Sequence, residues 1–151
     1  MLVLTFCIGP TRFVIDARRV SQVVPKVPLR TLPLSEPYVA GLLDFRGTVL
    51  AVVDLGTRLF GTACTSRLST RIIIVHIQHS DREMLLGLIA EEVTELCQAD
   101  VPAATELSTA GSEHDCLGRM VRVGDTLAQW LEVDRVLPEL VRCQILDHLP
   151  E

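Results

Sequence analysis

The chain has 151 residues, a formal net charge of −5, and 48% hydrophobic but only 4% aromatic residues. That length suits one domain or two very small ones packed tightly. A nucleic-acid binder would show a basic stripe and stacking aromatics, and neither is present. No apolar run approaches the roughly 18 residues that a membrane-spanning helix needs, which argues against direct membrane insertion. The core must come from Val, Leu and Ile, which suit strands better than a helical bundle. Five cysteines, Cys7, Cys64, Cys97, Cys116 and Cys143, are widely spaced and odd in number, and read as free thiols in a reducing cytosol.

In chain order, Leu2 to Ile8 and Arg12 to Asp16 flank Gly9-Pro10-Thr11 and predict a hairpin. The segment Pro25 to Pro37 holds four prolines and can be neither helix nor central strand. Gly41 to Arg46 and Thr48 to Val53 flank Gly47 as a second hairpin. Asp54 can cap a short helix, Leu55 to Phe60, with Gly61 as its stop. Gly61 to Ser66 is Gly/Ser/Thr-rich but lacks the second Gly and the Lys of a phosphate loop, and reads as a linker. Arg71 to Gln78 and Met84 to Ala90 flank the polar turn His79 to Glu83. The acidic trio Glu91, Glu92 and Glu95 reads as a solvated helix face or as a steering charge for a basic partner. Ala99 to Asp115 reads as a long loop. Leu117 to Val123 and Thr126 to Val133 flank Gly124-Asp125. Asp134 can cap a last helix from Arg135 to about Asp147, with Pro138 at its fourth position.

A faint internal repeat accompanies this pattern. Ala17-Arg-Arg-Val-Ser-Gln-Val23 resembles Ala90-Glu-Glu-Val-Thr-Glu-Leu96, and Val53-Asp54-Leu55 resembles Val133-Asp134-Arg135. Either Val-rich segments coincide, or the chain forms two similar small β-barrels. Each half alone is too small to be secure, so two halves would pack as one unit.

The stretch Gly41-Leu-Leu-Asp-Phe-Arg-Gly47, followed by an apolar strand ending in Asp54-Leu55, resembles the CheW-like chemotaxis adaptor (coupling protein) family. That family carries G-x-x-N-x-R-G at this point. Phe13 to Asp16, Leu32-Pro33 and Pro37-Tyr-Val39 upstream, and Arg71 to Val75 and Gly87 to Val93 downstream, fit the same resemblance. It implies an all-β fold of two five-stranded SH3-like barrels in tandem, with short helices and a C-terminal helix. The whole chain, 1–151, would be one such domain with approximate halves 1–66 and 67–151, their terminal segments open to exchange. It further implies a cytoplasmic, non-catalytic adaptor without cofactor, held at the inner membrane face through receptor arrays. Its partners would be the regulatory domain of a CheA-type histidine kinase and the cytoplasmic tip of a methyl-accepting receptor. A regulator that binds the kinase alone, in a dedicated non-swimming pathway, is the alternative.

Two departures stand out: position 44 is Asp where the family has Asn, and Gln22 sits where a relative can carry an acid pairing with the motif Arg. On a strand, Asp44 and Arg46 face the same side, so Asp44 is expected to take over part of that pairing. Arg46 is the principal partner-binding candidate, since a guanidinium fork suits carboxylates and carbonyls and Arg is enriched at interface hot spots. The bland reading is a structural Arg paired with Asp44 or Glu36. Gly41 and Gly47 would aim Asp44 and Arg46 through tight backbone geometry. Leu42, Leu43, Phe45 and Val49 alternate, one subset filling the barrel and the other forming a docking patch. No metal is expected: His76 and His79 fall on opposite strand faces, and His114 with Cys116 offers only two ligands. No local signature supports a catalytic Cys–His pair, and the low aromatic content disfavours a ligand-binding barrel.

Overall fold

The structure, a computed structural model, describes residues 1–33, 35–94, 96–100, 115–147 and 149. The strands are β1 (Leu2–Ile8), β2 (Thr11–Asp16), β3 (Val20–Pro25), β4 (Val39–Phe45), β5 (Thr48–Asp54), β6 (Arg71–His79), β7 (Arg82–Ala90), β8 (Leu96–Gln98), β9 (Leu117–Val123) and β10 (Thr126–Leu131). The helices are α1 (Leu55–Phe60) and α2 (Glu139–Leu146), with 3₁₀ turns at Ala17–Arg19 and Val133–Arg135. The fold is thus mostly β, as expected.

The strands form two five-stranded sheets, in the orders β8-β1-β2-β10-β9 and β3-β6-β7-β5-β4. Replacing β8, β1, β2, β10 and β9 by β3, β6, β7, β5 and β4 converts one order into the other, so the two sheets share one topology. Each sheet curls toward closure through an isolated pair: Asp100 with Arg122 joins the β8 side to β9, and Arg30 with Leu42 joins the β3 side to β4. These are the two SH3-like barrels. The first draws strands from both ends of the chain, with β10 parallel to β2, whereas the second uses the consecutive strands β3 to β7, with β5 parallel to β7.

The alternation of β1 explains how the barrels share a core. Leu4, Phe6 and Ile8 enter the large cluster that also holds Leu50, Val52, Ile72 and Leu88 from the other sheet. Val3, on the opposite face, joins a small separate cluster with Val14, Ala99, Val121 and Ala128. Phe6 and Phe13 are cross-strand partners stacked at 5.8 Å, and Phe13 meets Phe60 of α1 at 6.3 Å. The run Ile72 to Val75 is buried on both faces, which is why β6 reads as continuously apolar.

Local signals hold for α1. Asp54 accepts the N–H of Thr57 at 3.1 Å, and Gly61, at φ 74°, ends the helix. The last helix differs from expectation. α2 begins at Glu139, because Pro138 has an extended ψ of 151° and disfavours helix in the residue before it. Asp134 therefore does not cap α2. It pairs with Arg19 and accepts the N–H of Gln78 at 3.0 Å. The turn between β6 and β7 is only Ser80-Asp81, both at positive φ, so His79, Arg82 and Glu83 are strand residues. Glu91 and Glu92 lie on no helix: Glu91 bridges Cys7, and Glu92 has φ 44°. Glu95, and residues 101–114 of the expected loop, fall outside the described residues. No helix among the described residues is long and apolar enough to cross a membrane.

Candidate docking surface

β4 and β5 pair from Val39–Val53 to Phe45–Thr48, leaving Arg46 and Gly47 as a two-residue turn. Both have positive φ, 53° and 85°. That is the type I′ geometry, whose twist matches the flanking strands. Gly accepts this conformation freely, but Arg does so at a cost. The side chain of Asp44 offsets part of it by accepting the N–H of Gly47 at 3.0 Å. The expected pairing of Asp44 with Arg46 is therefore not what the structure contains. Arg46 lies in the turn, off the strand, so the same-face rule does not apply to it.

No ion pair among the described residues involves Arg46, neither with Asp44 nor with Glu36. Its guanidinium carbon sits 5.0 Å from the ring centroid of Phe45, in cation–π range. The charged head is otherwise open to solvent. Phe45 is half-buried and packs on the main core. An anchored ring thus supports an exposed fork.

Gly41 has a different task. A Cβ there would stand 2.5 Å from the carbonyl oxygen of Arg30. Its absence lets the proline-rich segment press on β4, where Arg30 and Leu42 exchange N–H···O bonds of 2.9 and 2.8 Å. The apolar strand residues do not divide cleanly into core and patch. Leu42, Leu43 and Phe45 are all half-buried against the core, as befits an edge strand. Val49, opposite Asp44, is not part of that cluster.

Val49 instead lines two hollows. One, of about 380 Å³, lies between the hairpin and the proline-rich segment, with Val27, Pro28, Arg30, Leu43 and Asp44 in its wall. The other, of about 360 Å³, lies against Arg82, Glu83, Met84 and Leu85 of β7. The hairpin tip is a ridge between two shallow, mixed apolar and charged depressions. Arg46, Asp44, Gly47, Phe45 and Val49 are brought together there, with Gly41 at the root. Gln22 is not. It is half-buried on β3, pairs with Ile74 of β6, and has β6, β7 and β5 between it and β4 in the sheet order.

A second exposed feature has no signal in the sequence pattern. Phe60, at the end of α1, is 53% exposed. It borders a hollow of about 490 Å³ between the β1–β2 turn and the segment after α1. Glu91 braces this hollow by accepting the N–H groups of Gly9 at 3.1 Å and Thr65 at 2.6 Å. The nearest sequence clue was its membership of the acidic trio, but its pairing across the two sheets is non-local.

Buried Asp54 and Arg58 are structural. Asp54 accepts from both Thr57 and Cys64 backbone N–H groups. Arg58 donates to the carbonyl of Val136 at 2.7 Å and lies over Tyr38, tying α1 to the segment before α2. Burial, with the Asp54 charge behind it, pushes the Cys64 thiol up to about 12, and burial also raises Cys116. Neither is poised as a nucleophile.

This architecture has counterparts. A probable chemotaxis protein CheW of Rhizobium etli is 28% identical over 93 residues, 62% of this chain and only 57% of that protein's length. The chemotaxis protein CheW of Rhizobium meliloti is 24% identical over 144 residues, 89% of this chain and 86% of its own. The crystal structure of the scaffolding protein TtCheW from Thermoanaerobacter tengcongensis superposes with a TM-score of 0.75 at 19% identity, covering 91% of this chain and 89% of that one. The profile of the CheW-like domain matches residues 2–141, and with the two-sheet topology and the hairpin motif it shows that the chain belongs to the CheW-like domain family.

Proposed function

We propose that this chain is a non-catalytic adaptor that couples a methyl-accepting chemotaxis-type receptor to a CheA-type histidine kinase, at the cytoplasmic face of the membrane. Residues 1–151 act as one docking unit. The observation that carries this is Arg46. It is a charged fork on a two-residue turn, backed by Phe45, engaged by no carboxylate among the described residues, and flanked by two hollows. Such a group is preorganised for a partner's carboxylate or carbonyls, which cuts the ordering cost of binding. Asp44 sets the turn, and Val49 supplies apolar contact on either side. The adaptor works by binding one kinase conformation better than another, so that the receptor's state shifts the kinase population.

The test is the affinity of purified protein for the kinase regulatory domain and for a receptor-tip fragment, each measured separately. Arg46→Glu should weaken at least one of the two by tenfold or more, roughly 1.4 kcal/mol, with unchanged thermal stability. Unchanged affinity for both partners would remove the hairpin tip from the docking face.

A further inference from the structure

β6 ends at His79. α2 carries Cys143 and ends at its C-cap Asp147, four residues on and still in helical backbone conformation, which places the two one above the other on a single helix face. That face meets the end of β6. The imidazole of His79 is only 5% exposed, and its Nε2 lies 2.7 Å from Oδ1 of Asp147. The ring nitrogen of His79, Sγ of Cys143 and a carboxylate oxygen of Asp147 all lie within 4.8 Å of one another. Three different donors from two separate elements thus converge on one point. None of them contributes to the hairpin surface described above.

The donor chemistry selects an occupant. Calcium and magnesium take oxygen ligands, whereas a thiolate with an imidazole suits zinc and its neighbours. With metal–ligand bonds of about 2.0–2.3 Å, ligand atoms in a tetrahedral site stand roughly 3.3–3.8 Å apart. On that geometry the His79–Asp147 contact must open by roughly 0.6 Å and the widest separation contract by up to about an ångström. Cys143 and Asp147 are exposed and free to adjust, while His79 is held by burial. Arg142, next to Cys143 in the chain, is engaged elsewhere: it donates to the carbonyls of Gln78 and Asp134, at 3.3 and 3.0 Å.

We propose that His79, Cys143 and Asp147 form a three-ligand site for a divalent cation of the zinc class, with water completing the tetrahedron. Cys143 binds as thiolate, so loading releases its proton to solvent. The metal joins α2 to the end of β6 and so fixes the C-terminal helix on the body of the protein.

The test uses metal-free, tag-free full-length protein titrated with Co²⁺, then with Zn²⁺, in a non-chelating reductant. The expected result is saturation at one equivalent, a near-ultraviolet thiolate-to-cobalt charge-transfer band, its displacement by Zn²⁺, and a rise in Tm on zinc loading. Cys143→Ser should abolish the band. Asp147→Asn should weaken zinc binding by at least about tenfold, a loss that outer-shell changes alone can bring. Both positions are exposed, so both variants should fold, whereas Cys7→Ser and Cys97→Ser should bind as the parent does. Absence of a saturable band overturns the proposal. So does a band or zinc affinity that survives Cys143→Ser, which would mean an adventitious ion only.

Discussion

The carboxylate of Asp44 accepts the backbone N–H of Gly47, 3.0 Å away, and so closes the turn that presents Arg46. Residue 46 is held at φ 53°, where Asn is at home and Arg is not. Stability and docking therefore make opposite demands on this position. Arg46→Asn should raise stability by about 0.5–1 kcal/mol, as optimised turn residues do. The same change should weaken partner binding by roughly 2 kcal/mol if the guanidinium is an interface anchor. Denaturant unfolding and a binding isotherm on one variant decide it. A substitution that improves both would show that Arg46 serves neither purpose.

The two glycines of the motif should respond differently to Ala. At Gly47 a Cβ meets nothing within 4 Å, so only backbone strain arises, about 1–2 kcal/mol. At Gly41 a Cβ would overlap the Arg30 carbonyl at 2.5 Å, and the whole strand contact must shift. The loss there should be larger, about 3 kcal/mol, with the proline-rich segment becoming more accessible to protease. Equal losses would mean that the segment relaxes freely away from β4.

Asp54 is buried and serves two elements at once, capping α1 and holding the N–H of Cys64. Asp54→Ala should cost about 2–3 kcal/mol, more than an ordinary cap, because it leaves a buried N–H without a partner. Asp54→Asn should recover part of that. Thermal unfolding of the two variants gives the comparison.

The cysteines should separate by reactivity. With its thiol pushed up to about 12, Cys64 stays protonated across the physiological range, and native protein at pH 8 should leave Cys64 and Cys116 unmodified by a thiol-specific reagent. Cys143 is exposed and should be labelled first in metal-free protein. The raised Cys64 value also sets a direction. Its contribution to stability is intact below the ordinary thiol range and is lost as pH climbs from there toward 12. Mass spectrometry of labelled peptides, native and denatured, checks the order.

The hairpins were legible because apolar side chains recur with period two between turn residues, and α1 because Asp54 and Gly61 bracket it. α2 was placed too early because Pro138 looked tolerable in a first turn, whereas its extended backbone starts the helix afresh. The hairpin motif pointed to Arg46, Gly41 and Gly47. The partner of Asp44 was missed because Arg-Gly does not advertise a type I′ turn as Asn-Gly does. Gln22 could not be placed relative to Arg46 from sequence, since strand order across a sheet is set by pairings far apart in the chain. The convergence of His79 with Cys143 and Asp147 was hidden for the same reason.

The parallel pairing of β2 with β10 also sets a schedule for synthesis. β2 ends at Asp16 and β10 at Leu131, so 115 residues must follow before the first hairpin meets its neighbour. At roughly 5–20 residues per second, the nascent hairpin waits on the order of ten seconds with the edge of β2 unpaired. The other sheet has all its strands once Ala90 has emerged. It is therefore the one able to assemble first on the ribosome, and the early hairpin is the segment a chaperone would be expected to shield.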